Sequence, residues 1–259
     1  IRKQYPHIQV IMFSTLTERG AIQTLEALSL GASDYVTKPA NAGSLALSMQ
    51  RLRQELIPKI KQFYLAKRQL EKGAVITDQP KDTPGVVPFY KRVSRRRVVA
   101  IGVSTGGPNA LAEVLPHLPA EFPVPILVVQ HMPPMFTRFL AERLNAQSQI
   151  KVCEATANEA LMPGHALIAP GDYHLTVRCE NGHVLTGLSQ DIPENSCRPS
   201  VDVLFRSVAE TYGAEAVGVI MTGMGSDGLR GVEAMKKRGA YVIAQDEASS
   251  VVWGMPGFV

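Results

Sequence analysis

No stretch of this 259-residue chain is apolar for long enough to read as a membrane span, and no secretory signal opens it. Insertion into a bilayer is therefore not expected. Cysteine is scarce: the three present, Cys153, Cys179 and Cys197, show no C-x-x-C spacing. An odd, unclustered set argues against a disulfide framework and fits ordinary thiols in a reducing cytosol, so a cytoplasmic location is expected. There is no internal repeat and no G-x-x-x-x-G-K-[ST] phosphate loop. An initiator Met is missing from the start, Ile1-Arg2-Lys3-Gln4, which reads as the beginning of a piece of a longer protein.

What is present is unevenly distributed. The net charge of +4 hides a basic middle, with 13 Lys/Arg against 4 Asp/Glu over residues 51–97, and an acidic remainder, with 10 against 16 over residues 98–259. A nucleic-acid binder needs its basic face on a folded domain, interleaved with aromatics. Here the positive charge lies on linker-like sequence, so no nucleic-acid partner is expected and a solvated tether is the better reading. Its facing an acidic domain suggests electrostatic docking between the two.

The first 57 residues alternate strand and helix. A buried strand spans 8–15 and a helix about 20–30, closed by Gly31. A short strand spans 34–37 and a second helix starts near Ser44. That is the rhythm of a parallel α/β sheet with too few strands to stand alone. Residues 45–70 carry one apolar stripe, and Pro58 is expected to kink or divide that helix. Gly73, Pro80, Pro84, Gly85 and Pro88 mark a linker. The expected division is therefore 1–57, the C-terminal part of one domain; 58–96, a basic linker; and 97–259, a second domain lacking its extreme C-terminus, where a further helix is expected.

From Val98 onward, strands are expected at 97–102, 125–130, 165–169, 216–221 and 241–244. Helices are expected at 108–115, 135–146, 201–212 and 229–238, with a hairpin around Asn181-Gly182. This describes an α/β class fold: a doubly wound, mostly parallel, Rossmann-like three-layer sheet with a small antiparallel hairpin insertion.

Open parallel sheets gather their chemistry at the carboxyl ends of the strands. There this sequence places Ser104, His131, Asp172, the loop Thr222–Gly228 and Asp246. Gly102-Val-Ser104-Thr-Gly106 matches G-x-S-x-G between a strand and a helix, the setting that the motif requires. A serine hydroxyl needs an imidazole to take its proton and a carboxylate to hold that imidazole. His131 is the natural base and Asp227 the natural orienter. His174 and His165 remain as other bases, although His165 opens a strand at the wrong edge. Asp172, Asp202 and Asp246 remain as other carboxylates, Asp202 reading better as a helix N-terminal cap. A phosphate cradle at residues 103–107 is the competing use of the glycine turn. Gln130-His131 stands where a dinucleotide domain usually has its ribose-binding acid, which weakens that reading. A non-catalytic adaptor is a third.

Five segments in order then become specific: Ala100-Ile-Gly-Val-Ser-Thr-Gly-Gly-Pro108, Gln130-His-Met-Pro-Pro134, Arg198-Pro-Ser-Val-Asp202, Met221-Thr-Gly-Met-Gly-Ser-Asp-Gly228 and Gln245-Asp-Glu-Ala-Ser-Ser-Val-Val252 with Gly254-Met-Pro256. Together they resemble the catalytic domain of chemotaxis protein-glutamate methylesterases. The resemblance implies Ser104 as nucleophile, His131 as base, Asp227 as orienter, and Thr105 and Met224 at the oxyanion site through backbone amides. It implies demethylation of glutamate methyl esters, and deamidation of glutamines, on the cytoplasmic domains of chemoreceptors, with no cofactor or metal for catalysis. The N-terminal piece resembles the second half of a flavodoxin-like response-regulator receiver, with Ser14 as switch hydroxyl and Lys38 as the lysine before Pro39. The resemblance implies a phosphorylated aspartate and Mg²⁺ in the intact receiver, upstream of Ile1, and a chemotaxis histidine kinase as phosphodonor.

Overall fold

The computed structural model describes residues 1–2, 4–5, 7–39, 45–72 and 96–259. Two parallel strands, β1 (Ile11–Ser14) and β2 (Asp34–Thr37), flank α1 (Glu18–Ser29). Thr17 caps α1 by accepting a hydrogen bond from the Gly20 amide at 3.1 Å. The next helix, α2 (Leu45–Lys72), runs on through Pro58. The expected linker start at residue 58 therefore lies inside a helix. Proline removes one backbone donor and crowds the preceding turn, but the flanking turns on both sides hold the helical path. Of its apolar stripe, Phe63 is buried while Met49 and Ile60 stay exposed. The glycine- and proline-rich stretch of the linker lies outside the described residues.

The second domain is a six-stranded sheet, parallel throughout, in the order β10-β9-β3-β4-β6-β5. The strands are β3 (Val98–Val103), β4 (Ile126–Gln130), β5 (Lys151–Glu154), β6 (His165–Ile168), β9 (Ala216–Ile220) and β10 (Tyr241–Ala244). An antiparallel hairpin, β7 (His174–Glu180) and β8 (His183–Ser189), is inserted after β6. It turns at Asn181 and Gly182, both at positive φ, as a two-residue hairpin loop requires. The edge strand β5 is not legible in sequence. Its four residues bring only Val152 into the core, too weak an alternation to register.

Side-chain alternation builds the three layers. Ile101, Val103, Ile126 and Val128 face one core, covered by α3 (Gly107–Val114) and α4 (Phe136–Gln147). Val98, Ala100, Leu127 and Val129 face the other, covered by α5 (Val201–Tyr212) and α6 (Leu229–Lys237). A last single turn, α7 (Gly254–Gly257), closes on the β9 loop. The N-terminal piece joins the first of these cores. Ala21, Leu25 and Leu28 of α1 pack there, and Tyr35 stacks on Phe136 with ring centroids 5.1 Å apart. Asn109 donates to the Leu28 carbonyl at 2.8 Å across the same boundary. Among the described residues no helix is long and apolar enough to cross a membrane.

Candidate active site

The winding direction of the sheet reverses between β3 and β9, where loops part and leave a crevice at the carboxyl strand ends. Ser104 follows β3, and its amide donates to the Thr222 carbonyl of the β9 loop at 3.0 Å. Gly106 then takes a φ of 80°, a left-handed turn that aims the chain into α3. Gly107 is forced by space: a Cβ there would lie 1.9 Å from Gln130 Oε1. The Gln130 side chain uses that room to donate to the carbonyls of Ser104 at 3.0 Å and His131 at 3.3 Å. The Ser104 turn and the His131 turn are thereby tied together.

Asp227 is fixed from the other side of the sheet. Its Oδ1 accepts from Ser200 Oγ (2.8 Å), Asn195 Nδ2 (2.8 Å) and the Asp202 amide (3.1 Å). Its Oδ2 accepts from the Val201 amide at 2.7 Å and faces His131 Nε2 at 2.8 Å. The carboxylate therefore sits at the free N–H groups of α5, where the helix dipole favours negative charge. Asp202, in the first turn of α5, returns the favour to α6: its Oδ1 accepts from the amides of Gly228 (3.0 Å) and Gly231 (2.6 Å). Asp202 is a cap as expected, but of the neighbouring helix. The two helices cap each other with the two acids. Gly102 admits the start of α5, since a Cβ there would lie 2.4 Å from Val201 Cγ1.

Burial works to raise the Asp227 pKa, but the bonds from His131, Val201 and Ser200 outweigh it and hold it at about 2, below the ordinary 3.8. For His131 burial works to lower the pKa. The bond to Asp227 and the neighbouring Cys197 outweigh that and raise it from 6.5 to about 10. With Nε2 turned to Asp227, the other ring nitrogen, Nδ1, lies 3.7 Å from Cys197 Sγ. Ser104 and His131 line the same cavity of about 850 Å³, together with Thr105 and Met224. Among the described residues the Ser104 hydroxyl closes no hydrogen bond to His131, an open arrangement common before substrate binds.

The other candidates have different partners. His174 is buried, accepting from the Ser200 amide and bonding the Ile192 carbonyl, each at 3.2 Å. His165 begins β6, at the opposite strand end. Asp172 pairs with Arg198. Asp246 holds the turn at Ser249. In the N-terminal piece, Ser14 and Lys38 stand at adjacent strand ends. Ser14 Oγ is buried, accepting from Thr24 Oγ1 at 2.6 Å, and Lys38 Nζ lies 5.4 Å over the Phe13 ring. Asp34 reaches the cavity: its Oδ2 accepts from Thr105 Oγ1 at 3.0 Å and from Lys59 at 2.7 Å. Sequence reasoning passed over Asn195, Ser200 and Cys197. Only Ser200, a serine directly before a helical run, carries a sequence signal that could have found it.

A parallel α/β sheet that brings a serine turn and a carboxylate-held imidazole to one crevice is the setting of a hydrolase that acts on carboxylic esters. The chain belongs to the CheB methylesterase family, whose model matches residues 99–259. It is 49% identical to a protein-glutamate methylesterase/protein-glutamine glutaminase of Trichodesmium erythraeum, covering all of this chain and 73% of that one. A protein of the same description from Nocardioides is also 49% identical, covering all of this chain and 71% of that one. The fold matches the crystal structure of the Thermotoga maritima CheB methylesterase catalytic domain with a TM-score of 0.62. That match is 46% identical and covers 63% of this chain and 87% of that one.

Proposed function

We propose that this chain hydrolyses the γ-methyl esters of glutamate side chains on the cytoplasmic domains of chemoreceptors, and deamidates glutamines there, by acyl transfer through Ser104. The observation that supports it most is the 2.8 Å contact between His131 Nε2 and Asp227 in a cavity that Ser104 shares. Neutral His131 takes the Ser104 proton as the hydroxyl attacks the γ-carbonyl. Backbone amides at Thr105 and Met224 receive the oxyanion. The C–O bond to methoxide breaks, and His131 returns the proton so that methanol leaves. Water, deprotonated by His131, then attacks the acyl-serine; the acyl bond to Ser104 Oγ breaks, His131 returns the proton to that oxygen, and glutamate is freed. For glutamine the leaving group is ammonia. Asp227 stays ionised and favours the imidazolium that forms. These steps use protein groups and water.

The setting is cytoplasmic, with methylated receptors as substrate and a chemotaxis histidine kinase supplying the phosphoryl group to the intact receiver. Its Mg²⁺ would bind with that receiver's upstream aspartate, near Ser14 and Lys38. The test is methanol release from methylated receptor. Ser104→Ala should lower it by on the order of 10⁴-fold or more; a variant that keeps full activity refutes the assignment.

A further inference from the structure

Cys197 stands beside the imidazole with no part in the acyl transfer just described. Its position is tightly held. Glu194 and Cys197 exchange backbone hydrogen bonds of 3.1 and 2.8 Å across a two-residue turn, with Asn195 and Ser196 both at positive φ. Arg206 grips Glu194 with two bonds of 2.7 and 2.5 Å. Asn195, inside the turn, is tied to Asp227 itself. The residues that anchor the carboxylate thus also place the thiol.

The separation of Cys197 Sγ from His131 Nδ1 is 3.7 Å. Zinc bonds of about 2.3 Å to sulfur and about 2.0–2.1 Å to nitrogen, at a tetrahedral angle, place the two ligand atoms about 3.6 Å apart. A metal-bound imidazole generally donates its other N–H to a carboxylate, which fixes the tautomer and leaves the metal-facing nitrogen its lone pair. His131 Nε2 against Asp227 Oδ2 at 2.8 Å is that arrangement. Both Asp227 oxygens are engaged by α5 and its flank, so Asp227 supports the ring from behind.

We propose that Cys197 and His131 form a binding site for a thiophilic divalent cation of the zinc class, and that its occupation shuts off Ser104. On binding, the Cys197 thiol gives its proton to solvent, and the thiolate and the neutral imidazole each donate an electron pair; nothing is oxidised or reduced. The remaining coordination positions open on the cavity lined by Ser104. A cation there occupies the one nitrogen of His131 not engaged by Asp227. The binding rests on this geometry alone; the inhibition also rests on His131 as the base.

Cobalt(II) is the probe, because its thiolate complexes absorb in the near ultraviolet. The chain should show that band with Co²⁺. It should vanish in Cys197→Ala, or in Cys197→Ser where the alanine variant does not fold, and in His131→Ala. It should persist in Cys153→Ala and Cys179→Ala, and zinc should displace it. Zinc should also inhibit methanol release reversibly with a chelator. Cys197→Ala, compared with its own metal-free rate, should need about tenfold more zinc or beyond for half-inhibition. Absence of the band in the unsubstituted chain, or its survival in Cys197→Ala, overturns the site. A band that obeys these variants without inhibition upholds the site and overturns His131 as the base.

Discussion

Asp227 carries two loads at once: it holds the imidazole, and it accepts bonds from Asn195, Ser200 and the amides that open α5. Its replacement is therefore expected to show in both activity and stability. Asp227→Asn should lower methanol release by on the order of 10⁴-fold, as loss of the orienting carboxylate does in comparable triads. A base must be neutral to act, so kcat/KM should rise with pH with a midpoint above 6.5, toward the raised His131 value of about 10. In Asp227→Asn that midpoint should fall toward 6.5, measured as the pH profile of methanol release. Stability follows the same linkage. The lowered Asp227 pKa contributes stability that is present above pH 3.8 and lost as pH falls through about 2. The raised His131 pKa contributes stability that is present below pH 6.5 and lost as pH rises through about 10. The urea-midpoint difference between the parent chain and Asp227→Asn should therefore be largest between about pH 4 and 6.5 and shrink on either side.

Helices α5 and α6 form one unit because each caps the other. Asp202→Ala removes the acceptor for the Gly228 and Gly231 amides and should cost about 1–2 kcal/mol by urea denaturation, the usual range for a lost cap. It should also slow methanol release, since Gly228 directly follows Asp227. Gly102→Ala tests the same unit from the sheet side. Its new methyl meets Val201 at the start of α5, an overpacking expected to cost about 1–3 kcal/mol. Moving that helix end shifts the amides under Asp227, so kcat should fall with stability. An unchanged urea midpoint in Gly102→Ala would show that α5 gives way freely.

At the scale of the whole molecule, the N-terminal piece lies over one edge of the cavity through Asp34, Tyr35 and Lys59. The Thr105–Asp34 bond links it to the residue beside Ser104. Residues 97–259 alone should therefore release methanol faster than the full chain, measured at equal concentration on the same methylated receptor. The contact is mainly apolar: Leu25 and Leu28 are buried in the shared core, whereas the Arg138–Glu18 pair is largely solvent-exposed. Exposed pairs contribute about 0–1 kcal/mol. Added salt should accordingly change the ratio of the two rates little. Residues 73–95 of the basic linker lie outside those described; of its described part, Lys59 pairs with Asp34 and Arg96 donates to the Ala214 carbonyl.

Most of the architecture was legible in the chain. The 201–212 helix and the 34–37 and 241–244 strands match their expected bounds, because the helix carries a periodic apolar stripe and the strands are short runs with glycine, proline or polar residues at their ends. The strand-end rule alone brought Ser104, His131 and Asp227 to one edge. What the sequence determined by itself was periodic or local: the alternation of strand and helix, the glycine turn at Ser104, the family resemblance. Only the tertiary structure decided which helix Asp202 caps, that α2 continues through Pro58, that Asn195 and Ser200 anchor Asp227, that Cys197 meets His131, and that Asp34 reaches Thr105. Each of these depends on groups far apart in the chain, or on packing that offsets a local preference. No pattern of spacing encodes them before the sheet and its two helical layers have closed.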